Sequence, residues 1–500
     1  MSLTQVCDRE RGWSEVLDRR TWQLATIAAV AGLALSAGAV AAAGPWDSGQ
    51  RKAERVRAAS QDPAGTSRAH GAGKGGAHHE PPAGSVPAPA PSAPGVLTAL
   101  GAPVPPPARS GLADALDPLL RDPELGTLRT TASVIDTATG TQVYGKGDAD
   151  GMIPASTIKI ATAAAALLAL GPDHRIATTV TAAPDGRKTV LVGGGDPTLD
   201  RDDLASLADD TVRALRDRGA EETELSYDAT LYSGPELHPI SPNENISPVS
   251  PLMIEEGRLD GSRSGPAPRS TDPAGDAARA FADMLRERGV GTRGATSPGK
   301  GPGNAEPVAR VLSAPLSALV ERTLTHSDND IAEALARQTA LASDQPAGFE
   351  GAGKAVESRL KKLRLPLSGA RFADGSGLDR ANRMSAALLS GLLARAADPA
   401  RPELRPVLTG LPVAGFSGTL KNRYTEDSPG TGMVRAKTGT LSGVHTLAGT
   451  VVDADGRLLS FAFLTSGTAG ADAAQSALDR LASTIANCGC GPSSGRPGRT

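Results

Sequence analysis

The stretch from Thr157 to Leu170 is apolar and rich in alanine, and a chain carrying such a segment must bury it. It is introduced by Met152-Ile153-Pro154-Ala155 and ends at Gly171-Pro172. Proline near the start and glycine just past the end predict a helix. Because that helix is apolar on nearly every side, its place is in a core rather than on a surface. Lys159 does not fit such a place. An ammonium group there is costly unless it is paired or neutral, and desolvation lowers its pKa. Ser156 stands three positions earlier, so hydroxyl and amine share one helix face about a turn apart. A lysine of lowered pKa can take a proton from a serine hydroxyl. Taken alone, Lys159 can also be read as a snorkelling side chain on a core helix.

Two further strings have the same double character. Ser327-Asp328-Asn329 falls between helical patterns at Leu316 to Thr325 and Ile331 to Leu341. Junctions of this kind carry function on a rigid scaffold, but Ser327 or Asp328 would equally serve as a cap for the second helix. Lys437-Thr438-Gly439-Thr440 follows the strand-like run Met433 to Ala436. Gly439 and Gly443 let another backbone approach, so that a peptide could lie alongside as an added strand. The plainer reading is a hairpin turn after a strand. Near-copies occur elsewhere: Ser297-Pro298-Gly299-Lys300 and Ser241-Pro242-Asn243. In the first, Pro298 and Gly299 disfavour the helix that would bring serine and lysine to one face.

At 500 residues the chain has room for two or three domains. A formal charge of −3 offers no basic field for nucleic acid. No zinc-type ligand spacing occurs, and His78-His79 sits in a flexible composition. Cys7, Cys488 and Cys490 are peripheral and suggest no disulfide framework, the last two being too close for an unstrained mutual bridge. Residues 1–23 read as a cytoplasmic N-terminus. Leu24 to Ala43 is about long enough for a membrane span, either a retained anchor or a signal peptide cut after Ala43. Residues 44–110, rich in proline, alanine and glycine, predict a disordered tether, and 489–500 a disordered tail.

Between these ends the chain reads as mixed α/β. Ala132 to Asp136 and Thr141 to Tyr144 flank Ala138-Thr139-Gly140 as a hairpin. Thr446 to Val452 and Leu458 to Leu464 flank Asp453 to Gly456 as another, and Ala471 to Ala486 predicts a closing amphipathic helix. Residues 176 to 300 read as strands, turns and one helix, Ala274 to Arg288.

Serine-x-x-lysine, serine-x-asparagine and lysine-threonine-glycine, in this order and each on a fitting element, form the set found in penicillin-binding proteins and some serine β-lactamases. With Val192 to Leu199, Tyr227 to Thr230, Ser247 to Leu252 and Asp374 to Leu378, the chain resembles the D-alanyl-D-alanine carboxypeptidase/endopeptidase group, the class C low-molecular-mass penicillin-binding proteins, from about Leu112 to Ala486. The resemblance implies a transpeptidase/β-lactamase-like core, an antiparallel sheet with helices on both faces, built from 111–175 and 305–488. One smaller inserted domain would occupy 176–304. Family members usually carry two extra domains there. The short stretch Leu259 to Thr271 stands where the second would sit, which implies its absence.

The resemblance also implies roles. Ser156 would be the nucleophile and Lys159 its base. Ser327 would relay a proton to the leaving amine, and Asn329 would hold Lys159 and the substrate amide. Lys437, Thr438, Gly439 and Thr440 would form the substrate-binding strand, with the terminal carboxylate at Lys437 and the two threonine hydroxyls. The N–H groups of Ser156 and Thr440 would make the oxyanion hole. Expected partners are peptidoglycan stem peptides ending in D-Ala-D-Ala and β-lactams as covalent inhibitors. A membrane partner is expected if the span is kept, no nucleic acid is, and no cofactor or metal is implied. The site would lie on the extracytoplasmic side. A class A β-lactamase would need a glutamate four positions before an asparagine, and none stands so. A transpeptidase, or a wall-binding protein with a dead site, would be the other uses of such a chain.

Overall fold

A computed structural model describes residues 109–240 and 243–488. The expectations for residues 1–108 and 489–500, including the span at 24–43, lie outside the described residues. Among the described residues no helix is long and apolar enough to cross a membrane.

The strands are β1 (Arg129–Asp136), β2 (Gln142–Lys146), β3 (Ala177–Ala182), β4 (Lys188–Val192), β5 (Glu222–Asp228), β6 (Gly291–Thr292), β7 (Ser297–Pro298), β8 (Glu306–Leu312), β9 (Val434–Leu441), β10 (Val444–Val452) and β11 (Leu458–Ser466). The helices are α1 (Arg109–Leu119), α2 (Lys159–Leu170), α3 (Arg201–Asp217), α4 (Pro273–Glu287), α5 (Leu316–His326), α6 (Asn329–Leu341), α7 (Phe349–Lys361), α8 (Ala386–Ala397), α9 (Arg405–Thr409) and α10 (Ala471–Asn487).

One sheet has the order β2-β1-β11-β10-β9 and is antiparallel throughout, so the two ends of the described chain meet at its centre, where β1 pairs with β11. Side chains alternate across it with a period of two. Leu447 and Val451 of β10, with Leu459, Phe461 and Phe463 of β11, face the cluster built with α1 and α10. Ala448, Ala462 and Leu464 face the opposite cluster, which holds α2 with residues of α5, α6, α7 and α8. Both faces are therefore covered by helices, as expected. Helix α2 is buried almost all round, its alanines letting neighbouring helices close on it.

The second sheet has the order β6-β5-β4-β3-β8, with β7 pairing β5, and mixes parallel and antiparallel pairs. Its own apolar cluster lies against α3 and α4. Two sequence expectations differ here. Only one helix was expected in this region, yet α3 is a second. Its eight charged residues mask a stripe of Leu204, Leu207, Ala208, Val212 and Leu215 at helical spacing, and Asp200 caps its start. Strand β8 lies beyond the expected limit at 304, because it pairs with β3 from Ala177↔Leu312 to Ala182↔Glu306. At the other end, α1 begins at Arg109, just inside the stretch expected to be tether, and buries Leu112 and Leu116.

The segment 259–271 is a compact strap rather than a domain. Arg258 and Arg269 pair across its base, and Leu259 N donates to Pro268 O at 3.0 Å. No disulfide framework was expected, and Cys488 is disulfide-bonded. Cys7 and Cys490 both lie outside the described residues. Cysteine spacing alone does not reveal which partner a fold brings into reach.

Candidate active site

Ser156 sits in a short 3-10 turn, Ala155–Ile158, that runs directly into α2. Ala155 adopts φ 47°, a left-handed conformation that costs a non-glycine residue roughly 1–2 kcal/mol. Such strain persists where the surroundings hold it. Here Thr157 Oγ1 and Thr446 Oγ1 both donate to Pro154 O, at 2.6 and 2.8 Å. Gly377 packs on the same turn, and a Cβ there would lie 2.1 Å from Ala155 O. The turn is thus fixed from both sides.

Lys159 is fully buried, and its Nζ reaches three oxygens. These are Ser156 Oγ at 3.1 Å, Asn329 Oδ1 at 2.7 Å and Ser376 O at 2.5 Å. The orientation of Asn329 is fixed by its own Nδ2, which donates to Asn245 O at 2.9 Å. Asn329 Oδ1 and Ser376 O can only accept, so the two N–H bonds of a neutral amine go to them. The lone pair is then left for Ser156, whose hydroxyl is the one partner able to donate. Burial lowers the Lys159 pKa to about 8, against the opposing charges of Asp374, Asp328, Glu333 and Asp330. A neutral, oriented amine beside a serine hydroxyl is a general base.

The other strings converge on the same point. Ser327 ends α5 at φ 60°, and this left-handed residue swings the chain into α6. Asp328 caps α6 by accepting from Ile331 N at 3.0 Å, so the capping reading and the functional one hold together. Asp330 accepts from Ser247 N at 2.9 Å and pairs with Arg269.

Strand β9 is the edge of its sheet. Ala436 N donates to Pro412 O, and Ala414 N to Val434 O, both at 2.9 Å, so even-numbered residues turn their backbone groups outward. By the same alternation, Thr438 and Thr440 turn theirs to the same side, where among the described residues no other backbone segment pairs with the edge. The Ser156 cleft opens there, about 240 Å³ in volume. Ser156, Ser327, Asn329, Thr438 and Thr440 all line it, together with Thr419, Leu378 and residues of the strap. Thr438 Oγ1 donates to Thr419 Oγ1 at 2.9 Å. Lys437 and Gly439 belong to the face of the strand that turns toward α2 and the Ser156 turn, Lys437 opposite Ala448 and Gly439 against Pro154. Lys437 is fully buried there, its Nζ donating to Thr438 O at 2.8 Å. Burial first, then the charges of Lys159 and Arg423, push its pKa well down. Its side chain is not among those lining the cleft, but its Nζ is held on the outward-facing carbonyl of Thr438.

Gly439 meets the turn of the nucleophile. A Cβ there would lie 2.1 Å from Thr446 Oγ1 and 2.8 Å from Pro154 O. Gly439→Ala is expected to part β9 from the turn, costing about 1–3 kcal/mol of stability. Acylation by a β-lactam should slow at least about ten-fold, since a small misplacement at a reacting centre is costly. Stopped-flow kinetics with a thermal melt check this, and an unchanged rate would show that strand and turn move independently.

Two buried triads come close enough to suggest a metal: His238, Glu333 and Asp374, and Glu256, Asp328 and Asp330. One carboxylate of each triad is fully committed to the protein's own donors. Asp374 accepts from His238, Ser376, Gly377, Asp379 and Asn382, and Glu256 pairs with Arg258 and Arg322. A groove of about 990 Å³ between α1, residues 422–429 and α10 is larger than the cleft but holds none of the three strings. Sequence reasoning missed Thr419, Asn245 and the carbonyl of Ser376. Residues 374–378 were singled out in the sequence, but a contact made by a backbone carbonyl has no side-chain signature. The decoy Ser297 lies in the exposed β7, far from any helix face shared with Lys300.

The D-Ala-D-Ala carboxypeptidase 3 (S13) family matches residues 112–265 and 260–487, the two stretches meeting inside the strap. Carboxypeptidase DacB of Mycolicibacterium smegmatis is 39% identical over 428 residues, covering 82% of this chain and 90% of that protein. A D-alanyl-D-alanine carboxypeptidase of Actinomadura sp. is 31% identical over 446 residues, covering 72% of this chain and 81% of that protein. Among solved structures, penicillin-binding protein 4 of Haemophilus influenzae superposes with a TM-score of 0.63 at 22% identity, over 75% of this chain and 98% of that one. At that identity the likeness is one of fold.

Proposed function

The chain belongs to the D-Ala-D-Ala carboxypeptidase 3 (S13) family, and on that premise we propose that it hydrolyses the terminal bond of peptidoglycan stem peptides ending in D-Ala-D-Ala through an acyl-enzyme on Ser156. The observation that carries this reading is the Lys159 amine, desolvated and held so that its lone pair faces the Ser156 hydroxyl.

In the first half-reaction Ser156 Oγ gives its proton to Lys159 Nζ and attacks the carbonyl carbon of the penultimate D-alanine. The oxyanion faces the N–H groups of Ser156 and Thr440, donors that are typically worth about 3–4 kcal/mol each. When the C–N bond breaks, the proton held by Lys159 passes through Ser327 to the leaving amine, and D-alanine departs. Water then gives a proton to Lys159 and attacks the ester, and the proton returns to Ser156. With a cross-linked peptide the same steps amount to endopeptidase cleavage. A β-lactam would acylate Ser156 in the same way while keeping its leaving nitrogen tethered. The open edge at Thr438 and Thr440 supports binding of the peptide as a short added strand. The apolar run at 24–43 supports an extracytoplasmic location, tethered or secreted.

The test compares two peptides that differ only in a free or an amidated C-terminus. The hydroxyls of Thr419, Thr438 and Thr440, with the Lys437 Nζ held on Thr438 O, should favour the free carboxylate by roughly ten- to a hundred-fold in kcat/KM. Lys437→Ala should erase most of that preference. Equal rates with the unaltered enzyme would remove the carboxylate site and favour a broader esterase or lactamase activity.

A further inference from the structure

We propose that His238, a residue of the inserted segment, is a positioning residue for Lys159, acting through the turn Asp374–Gly377. The inference rests on the reading of Lys159 as the base.

His238 is 1% exposed in its side chain. Its Nδ1 accepts from Ile240 N at 3.3 Å, so the ring proton sits on Nε2, which donates to Asp374 Oδ2 at 2.9 Å. Phe349 meets the ring edge-on, with centroids 5.3 Å apart, and so fixes its plane. The charged groups around it are Asp374, Glu333, Asp379 and, over the face of Phe349, Arg337. Burial alone would lower the imidazole pKa. The Asp374 hydrogen bond and the charges of Glu333, Asp374 and Asp379 outweigh it and raise the value.

Asp374 passes this restraint on. Its Oδ1 accepts from Gly377 N at 2.8 Å and Asn382 Nδ2 at 2.6 Å, and its Oδ2 also accepts from Asp379 N at 2.7 Å. Glu333 Oε1 takes two more N–H groups of the turn, from Gly375 at 3.0 Å and Ser376 at 2.9 Å. With the N–H groups of Gly375, Ser376 and Gly377 drawn to these carboxylates, the carbonyls of Gly375 and Ser376 point to α2. Gly375 O accepts from Thr162 Oγ1 at 2.8 Å, and Ser376 O from Lys159 Nζ at 2.5 Å. The second of these contacts is one of the two that turn the amine lone pair toward Ser156. His238 is the part of this chain of bonds that the insertion contributes to the core, apart from Asn245 on Asn329 and Ser247 on Asp330.

Removing the His238 donor frees Asp374 from one side, and Ser376 O draws away from Lys159. A carbonyl acceptor favours the ammonium form over the amine. Its loss shifts the Lys159 titration toward acid and loosens the amine. A purely structural role for His238 would lower stability without moving that titration.

The test follows the Lys159 side-chain resonance against pH in lysine-labelled protein, identified by its absence in Lys159→Ala. In His238→Ala the midpoint should move toward acid by at least about threefold in proton activity. His238→Gln, whose amide can reach the Nε2 position, should restore it. His238→Asn keeps the Ile240 contact but falls short of Asp374, and should behave like His238→Ala, which covers the case in which the alanine variant does not fold. A midpoint unmoved in His238→Asn, or moved equally in His238→Gln, overturns the proposal. No turnover is needed for this measurement. Failure of the unaltered enzyme to label at Ser156 would therefore count against the catalytic reading alone.

Discussion

Ser156→Ala abolishes covalent labelling by a fluorescent penicillin and leaves the fold intact. The hydroxyl lines the cleft at hydrogen-bond distance from the desolvated amine, 3.1 Å away. Removing it takes nothing from the packing of α2, whose buried residues begin one turn further on. Serine hydrolases that lose their nucleophile lose on the order of a millionfold in rate, so the labelled band should vanish rather than fade. Thermal melting should stay within about 1 kcal/mol of the unaltered protein, the size of one partly exposed hydrogen bond. Peptide mapping of the unaltered protein should find the adduct on Ser156. An adduct on Ser297, or on any other serine, would overturn the assignment.

Lys159→Ala slows acylation by about a hundred-fold or more, the usual size of a lost general base. The pH dependence has a definite sign. Below about 8 the amine is protonated and has no lone pair for Ser156, so acylation of the unaltered enzyme should rise with pH through that value and level off above it. The rising limb should vanish in Lys159→Ala. Lys159 also ties stability to pH. Its folded pKa, about 8, lies below the ordinary 10.5, so between these values the unfolded chain holds more protons. Its contribution to stability therefore rises with pH across that window and is lost below it. An acylation rate independent of pH between 6 and 9 in the unaltered enzyme, or unchanged kinetics in the alanine variant, would make Lys159 a packing residue.

The parts of the molecule that the sequence revealed are those where one physical signal dominates. Helix α2 was legible because an apolar segment can go nowhere but a core, and the anomaly within it, Lys159, was legible for the same reason. The two terminal hairpins were legible through alternation and turn residues. Helix α3 was hidden because its charges outnumber its stripe, although the stripe and the cap at Asp200 were there to be counted. Strand β8 was assigned to the wrong side of a boundary because pairing with β3, far away in sequence, leaves no local trace. At the site, side chains that act were visible, while the Ser376 carbonyl that aims Lys159, and the carboxylates that hold its peptide groups, were not. A backbone group that works through its direction is invisible to a reading based on residue types. The place of Lys437 on the α2 face of β9, with Ala436 on the other, follows from strand parity, which could have been read from the sequence.

The covered and open parts of the β9 edge bear on self-association as well. A sheet edge with free N–H and C=O groups is a template for another strand, and proteins usually shield theirs. Here residues 412–414 occupy the edge at Val434 to Ala436, and the opposite edge of the sheet is β2, a strand of 5 residues that carries Lys146. The unshielded strip at Thr438 to Thr440 lies inside a cleft walled by the strap and the Ser327 loop. A stretch so short and recessed can accept the tip of a flexible peptide, but it cannot align with the long edge of a second folded sheet. A short strip of sheet edge can thus stay open without becoming a template for a second copy.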